Sequence, residues 1–181
     1  MAAFAITPET FGMVYYTTEQ IMNVVGPLAD NLGFGADEPI TLHINETTPL
    51  GRITTQSSDP IVFLIEGGAF EDPRRPRSFG PNQTADSLGR ALLRLRDRRS
   101  AGFADAPAEG ELSFAQVAAW DAYLMGRLER LGYKAQRQRR LYNFRNRHGF
   151  SDVADAVFET LWTSDTLTWN DVASMSASAA E

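Results

Sequence analysis

The sequence predicts an α+β fold, and two patterns support this expectation. Apolar and polar residues alternate within about residues 39–66, as they do in half-buried strands. Before and after this block, apolar residues recur at the spacing of amphipathic helices. The expected architecture is a small, mainly antiparallel, three-stranded sheet that follows one helix and precedes a block of four to five helices.

The first helix is expected from Glu19 to Leu32. Thr17 and Gln20 have the spacing of a capping box, and Gly33 follows the last apolar residue as a typical helix stop. Further upstream, residues 7–9 (Thr-Pro-Glu) resemble the start of another helix.

Three strands are expected, at residues 40–45, 51–56 and 61–65. The third, Ile-Val-Phe-Leu-Ile, is apolar at every position, so we expect both of its faces to be covered. The connections between the three segments are short, which favours antiparallel hairpins over helical crossovers.

The C-terminal half predicts a series of helices with recognisable caps. They cover residues 84–99, the segment from Ser113 to Gly132, residues 135–148, a segment that begins at Ser151 and a short one that begins after Thr168. Residues 1–173 are expected to form one domain, because three strands need the helices to cover their apolar faces. Residues 174–181 are small and polar, and we expect them to form a disordered tail.

Charge is segregated along the chain, although the net charge of its 181 residues is only −6. Residues 1–51 and residues 148–181 each contain six acidic residues and neither Lys nor Arg. All 17 basic residues lie between positions 52 and 147, and all but Lys134 are arginine. This layout predicts that the acidic ends pack beside the basic centre and partly neutralise it.

Common functional signatures are missing. The chain has no cysteine, which excludes thiolate chemistry, disulfides and cysteine zinc sites. It also lacks the His-Glu-x-x-His, phosphate-loop, Gly-x-Ser-x-Gly and Gly-x-Gly-x-x-Gly motifs, and no cofactor is predicted. No apolar run reaches the roughly 18 residues of a membrane span, and the first residues do not resemble a signal peptide. We therefore expect a cytoplasmic protein.

The segment from Glu66 to Arg77 combines carboxylates and arginines directly after the most apolar strand. In an enzyme, Glu66, Glu71 and Asp72 would act together with His43 from a neighbouring strand, with or without a divalent cation. Three arginines would hold a phosphate or carboxylate of the substrate: Arg74, Arg75 and Arg77. The alternative is a solvated connection whose acids and arginines pair locally, and the absence of any diagnostic spacing favours it.

The predicted helix at residues 135–148 lies in the most basic stretch, where Tyr142 and Phe144 are interleaved with arginines. Its candidate binding residues are Arg137, Arg139, Arg140, Arg145 and Arg147. RNA or single-stranded DNA would suit such a helix, because phosphates attract arginines and bases stack on aromatic rings. The acidic net charge argues against nucleic acid and favours a protein partner.

These patterns favour a non-catalytic binding or regulatory protein that engages an anionic partner, most often another protein, through the five arginines of this helix, with Arg74, Arg75 and Arg77 as a second patch. The first alternative is an enzyme that uses the Glu66–Arg77 segment on a phosphorylated or carboxylated small molecule. The second is a protein that binds RNA or single-stranded DNA.

Overall fold

The computed structural model describes residues 2–180, whereas Met1 and Glu181 lie outside the described range. The chain divides into two compact units, residues 1–95 (unit 1) and residues 96–181 (unit 2). Their boundary lies within one long helix, α2 (Pro81–Arg99). Among the described residues, strands occur only in unit 1 and most helices in unit 2, so the predicted α+β class is confirmed. The expectation of a single domain stays a prediction.

Unit 1 contains six strands and one complete helix before α2 begins. In chain order they are β1 (Phe4–Thr7), α1 (Thr18–Asn31), β2 (Ile40–Asn45), β3 (Ile53–Ser58), β4 (Ile61–Glu66), β5 (Glu71–Asp72) and β6 (Arg75–Phe79). α1 begins at the predicted capping box: the Gln20 backbone N–H donates to Thr17 Oγ1, and the Thr17 N–H donates to Gln20 Oε1.

The main sheet of unit 1 has four strands in the order β1-β2-β4-β3. Only β3 and β4, which form a hairpin, are antiparallel; β1 with β2 and β2 with β4 are parallel. The expectation of three mainly antiparallel strands is corrected: the sheet has four strands, and two of its three pairings are parallel. Short connections did not predict this, because β4 lies between β2 and β3. It therefore pairs in parallel with β2 as well as antiparallel with β3, the strand directly before it. No helix begins at residues 7–9: Thr7 is the last residue of β1, residues 8 and 9 form a bend, and α1 is the crossover to β2.

One face of this sheet is covered and the other is open. The inward positions of β2 and β4 are buried: Ile40, Leu42, Ile44, Ile61, Phe63 and Ile65. The alternating positions include His43 and Leu64, which are exposed, and 41% of Leu64 is accessible to solvent. β4 is therefore covered on one face, and the expectation that both of its faces are covered was wrong.

Unit 2 is helical and begins with the last turn of α2. Its helices are α3 (Phe114–Arg130), α4 (Arg137–His148), α5 (Asp152–Thr163) and α6 (Trp169–Ser178). α3 packs against the other three, and its Trp120 ring lies 5.3 Å from that of Trp169 in α6. The described chain thus has five α-helices after its strands, α2 to α6, in agreement with the predicted four to five. None of the helices within residues 2–180 combines the length and the apolar character that crossing a membrane requires.

α6 extends into the segment that the sequence predicts to be disordered. The helix continues to Ser178, and Ser176 is buried with its Oγ 2.9 Å from His148 Nε2. The expected tail is therefore corrected for residues 174–178, which belong to α6; this helix packs on α3 and α5. Glu181, the last residue of that expected tail, lies outside the described residues.

His148 makes the stability of unit 2 depend on pH. Burial lowers the pKa of this imidazole below its ordinary value of 6.5, against a smaller opposing effect of the hydrogen bond from Nδ1 to Phe144 O. The unfolded chain therefore binds the proton more readily, and the stabilising contribution is complete above pH 6.5. As the pH falls from there through the lower pKa of the folded state, we expect this contribution to be lost.

Urea unfolding of the native chain and of the His148→Asn variant, at about pH 8 and about pH 5, measures this effect. We expect the native chain to lose more stability than the variant between the two pH values. Equal losses in both proteins would contradict the assignment to His148.

Candidate functional site

Two arginines of α4 are ion-paired with the acidic helix α5. Arg145 donates from Nε and Nη2 to the two oxygens of Asp155, at 2.7 and 2.5 Å, and this hydrogen bonding holds the pKa of Asp155 below its usual range. Arg137 pairs with Glu159, and its guanidinium lies 5.8 Å from the centre of the Trp162 ring. Within unit 2, these pairs confirm that the acidic C-terminal segment packs beside the basic centre.

The other candidate arginines of α4 have different surroundings. Arg140 also has a partner within the chain. Arg139 is exposed, and its Nη1 donates to Gln136 Oε1 at 3.3 Å. Arg147 is exposed as well, and its guanidinium lies 4.7 Å from the centre of the Phe114 ring. Neither Arg139 nor Arg147 pairs with a carboxylate anywhere in residues 2–180.

Three exposed aromatic rings accompany Arg139 and Arg147. Phe114 is 74% exposed, Tyr142 is 60% exposed and Phe150 is 65% exposed. The rings of Tyr142 and Phe150 meet edge to face at 5.9 Å, while Phe114 lies under Arg147. These five residues are called the aromatic–arginine patch. Exposed aromatic rings and arginines are enriched at protein interaction sites.

The carboxylate of Glu71 belongs to the framework of unit 1. Glu71 is buried, its Oε2 accepts the backbone N–H of Arg77 at 2.8 Å, and its Oε1 lies 3.7 Å from Arg77 Nη1. Arg77 has a φ of 66°, and its Nη1 donates to Glu46 O at 2.6 Å. Burial, and then the charge of Glu71, raise the pKa of the Tyr16 hydroxyl, which stays protonated. Arg77 therefore holds the chain together here, which opposes its expected role in binding a substrate.

The remaining charges of the Glu66–Arg77 segment lie at the turn between β5 and β6. Asp72 Oδ1 accepts the backbone N–H of Arg74 at 2.8 Å, and Arg74 and Arg75 are exposed. This turn resembles the solvated connection that the sequence favoured.

Gly68, earlier in the same segment, lies against another part of the backbone. A Cβ at this position would lie 1.9 Å from the carbonyl oxygen of Pro49, so glycine is required for this close approach.

His43 and Glu66 do come together, in a pocket of about 540 Å³ on the open face of the sheet. The register pairs His43 of β2 with Leu64 of β4. Glu66 follows Leu64 by two residues, so the side chains of His43 and Glu66 are on the same face of the sheet. Of the four carboxyl and imidazole groups predicted for an enzyme, these two line the pocket. Glu71 and Asp72 do not.

Sequence reasoning missed several residues of both sites. Arg52 lines the pocket of unit 1, yet it precedes β3 and was not grouped with the later arginines because the antiparallel register was unknown. Phe114 and Phe150 flank helices, where periodicity does not distinguish an exposed ring from a buried one. The charge asymmetry of the chain was the only signal that pointed towards α4.

Comparisons of this chain with models of protein families, with curated proteins and with solved structures find no match. Across residues 2–180, no three His, Asp or Glu side chains are grouped in a way that would hold a metal ion. What can be inferred about function therefore comes from two local sites, the aromatic–arginine patch of unit 2 and the pocket of unit 1.

Proposed function

We propose that this protein is a non-catalytic binding protein that docks an acidic protein partner on the aromatic–arginine patch. The observation that carries the proposal is the exposure of three rings, Phe114, Tyr142 and Phe150, next to two arginines without a carboxylate partner in the described chain. Large aromatic side chains and arginines supply most of the binding energy at protein interfaces. Solvent exposure of such rings is unfavourable unless a partner covers them.

Charge supports an acidic partner. Asp155 and Glu159 neutralise Arg145 and Arg137, which leaves Arg139 and Arg147 as the positive groups of the outer face of α4. A partner that brings carboxylates to these two guanidinium groups gains charge-assisted hydrogen bonds. Its apolar side chains would lie against the exposed rings of the patch.

The same count of charges disfavours nucleic acid. Binding to a phosphate backbone draws its affinity from many neutralised phosphates, each of which releases counterions. Three of the five candidate arginines of α4, Arg137, Arg140 and Arg145, already have partners within the chain, so few remain to neutralise phosphates. The net charge of the chain is −6, whereas nucleic-acid-binding domains are usually basic.

Site-specific photocrosslinking tests the proposal. A photoreactive phenylalanine analogue replaces Tyr142, and in a control protein it replaces Asn170, an exposed residue of α6 that lies outside the patch. We expect position 142 to yield a discrete protein adduct in a lysate of the source organism, and position 170 to yield none. The adduct should weaken with added salt, survive nuclease treatment and disappear when Arg139→Glu and Arg147→Glu are combined.

Other outcomes would contradict the proposal. An adduct that nuclease removes would indicate nucleic acid, and an adduct with a second copy of the chain would indicate self-association. Equal adducts from positions 142 and 170, or an adduct that persists after both charge reversals, would show that the patch does not select an acidic partner.

A further inference from the structure

The pocket of unit 1 contains three charged or titratable side chains whose hydrogen-bonding groups are unused. It lies on the open face of the sheet, where His43 and Glu66 are joined by Arg52 and by the apolar Leu64. Its volume of about 540 Å³ is in the range of small-molecule sites. His43, Arg52 and Glu66 have no side-chain hydrogen bond or ion pair with any other residue in 2–180. The pocket is therefore built from groups that the fold itself does not use.

Glu66 is the most informative of the three. Its Oε2 is shielded from solvent and accepts no hydrogen bond from the described chain. A buried acceptor without a donor is unfavourable, and more so when it is charged. Because Oε2 itself is shielded, a ligand in the pocket reaches this carboxylate through its other oxygen, and a positively charged donor is the best match for it.

Arg52 offers the opposite charge on the neighbouring strand. The backbone N–H of Glu66 donates to the carbonyl oxygen of Arg52 at 2.9 Å, so the two residues are direct neighbours across the β3–β4 hairpin. The guanidinium of Arg52 is exposed at the pocket and forms no ion pair with Glu66. Because Glu66 and Arg52 are neighbours but do not pair, the Glu66 carboxylate is available for a cationic group and the Arg52 guanidinium for an anionic group.

We propose that this pocket binds a free α-amino acid or a dipeptide, each of which carries both an ammonium and a carboxylate group. The ammonium group donates to the Glu66 carboxylate, the carboxylate pairs with Arg52, and an apolar side chain lies against Leu64. Asn45 and His43 line the same pocket and supply further donors or acceptors. This inference does not depend on the proposed function, because every residue of the pocket belongs to unit 1 and the aromatic–arginine patch belongs to unit 2.

Calorimetric titration of the whole chain tests the inference with matched probes. L-leucine carries both charges, isoamylamine lacks the carboxylate, and 4-methylpentanoate lacks the ammonium group. Leucyl-leucine also carries both charges, but on different residues, and so distinguishes a dipeptide from a free amino acid. We expect L-leucine or leucyl-leucine to bind at least about tenfold more tightly than either single-charge probe, because each lost charged hydrogen bond weakens binding by that order.

Two variants connect the binding to the pocket. Glu66→Gln keeps the shape of the side chain and should weaken binding of the zwitterion about tenfold or more, and so should Arg52→Gln. The matched controls are Glu19→Gln and Arg74→Gln, which change exposed residues of unit 1 that do not line the pocket and should leave the affinity unchanged. Circular dichroism verifies that each variant remains folded.

Several results would overturn the inference. These are the absence of binding by both zwitterions at millimolar concentration, or an affinity that Glu66→Gln leaves unchanged in a folded protein. Binding of inorganic phosphate that depends on Arg52 but not on Glu66 would also overturn it, because it would indicate an anion site.

Discussion

Replacing Asp97 with alanine is expected to destabilise unit 2 by about 3–5 kcal/mol, the usual cost of breaking a buried ion pair. Asp97 is buried in the last turn of α2, and its Oδ2 accepts hydrogen bonds from Trp120 Nε1 at 2.8 Å and from Arg127 Nη2 at 2.7 Å. The guanidinium of Arg127 also lies 3.9 Å from the centre of the Tyr123 ring. Alanine would leave the largely buried cation without its counter-charge.

Urea unfolding followed by tryptophan fluorescence measures this effect, because all three tryptophans belong to unit 2: Trp120, Trp162 and Trp169. The matched control is Asp105→Ala, which removes an exposed carboxylate from the same unit and should change the stability by no more than about 0.5 kcal/mol. If both variants unfolded at the same urea concentration, the Asp97–Arg127 pair would not support the helical unit.

Gly126→Ala is expected to destabilise unit 2 by about 3 kcal/mol, at the upper end of the usual cost of overpacking. Gly126 lies in α3, and a Cβ at this position would lie 1.9 Å from the carbonyl oxygen of Trp162 in α5. The obstacle is backbone rather than a flexible side chain, so α3 and α5 would have to move apart. Urea unfolding followed by tryptophan fluorescence, as for Asp97→Ala, measures the loss of stability.

Gly26→Ala provides a control with the opposite sign. Gly26 is also inside a helix, α1, but a Cβ there would meet nothing within 4 Å. Alanine should therefore stabilise α1 by about 0.5–1 kcal/mol through its higher helix propensity. Thermal unfolding monitored by circular dichroism follows this change. A loss of stability at Gly26 similar to that at Gly126 would show that close helix packing is not the cause.

The local pattern of the sequence predicts most elements but not their arrangement. Alternation of apolar residues identified β2, a continuous apolar run identified β4, and capping residues such as Thr17 and Ser113 identified the starts of helices. The position of β4 between β2 and β3 depends on long-range pairing, which periodicity does not record. β1 was missed because a four-residue strand on the edge of a sheet carries little pattern of its own.

For the candidate sites too, the sequence predicted local properties but not the arrangement of the side chains. Charge counts predicted that acids and arginines neutralise each other, and the Arg145–Asp155 and Arg137–Glu159 pairs agree. The counts do not say which arginines remain outside such pairs, because that depends on the rotation of α4 about its axis. The pocket was half predicted, through His43 and Glu66, since alternation places both on one sheet face once the register is known.

Two arginines of α4, Arg137 and Arg145, stabilise the fold through their ion pairs, and we propose that Arg139 and Arg147 bind the partner. Crosslinking from position 142 in two double variants separates these roles. We expect Arg139→Glu with Arg147→Glu to abolish the protein adduct while the urea midpoint stays unchanged. Arg137→Glu with Arg145→Glu should instead lower the midpoint, because Glu159 and Asp155 then face like charges. An undiminished adduct in the first variant would contradict the proposal.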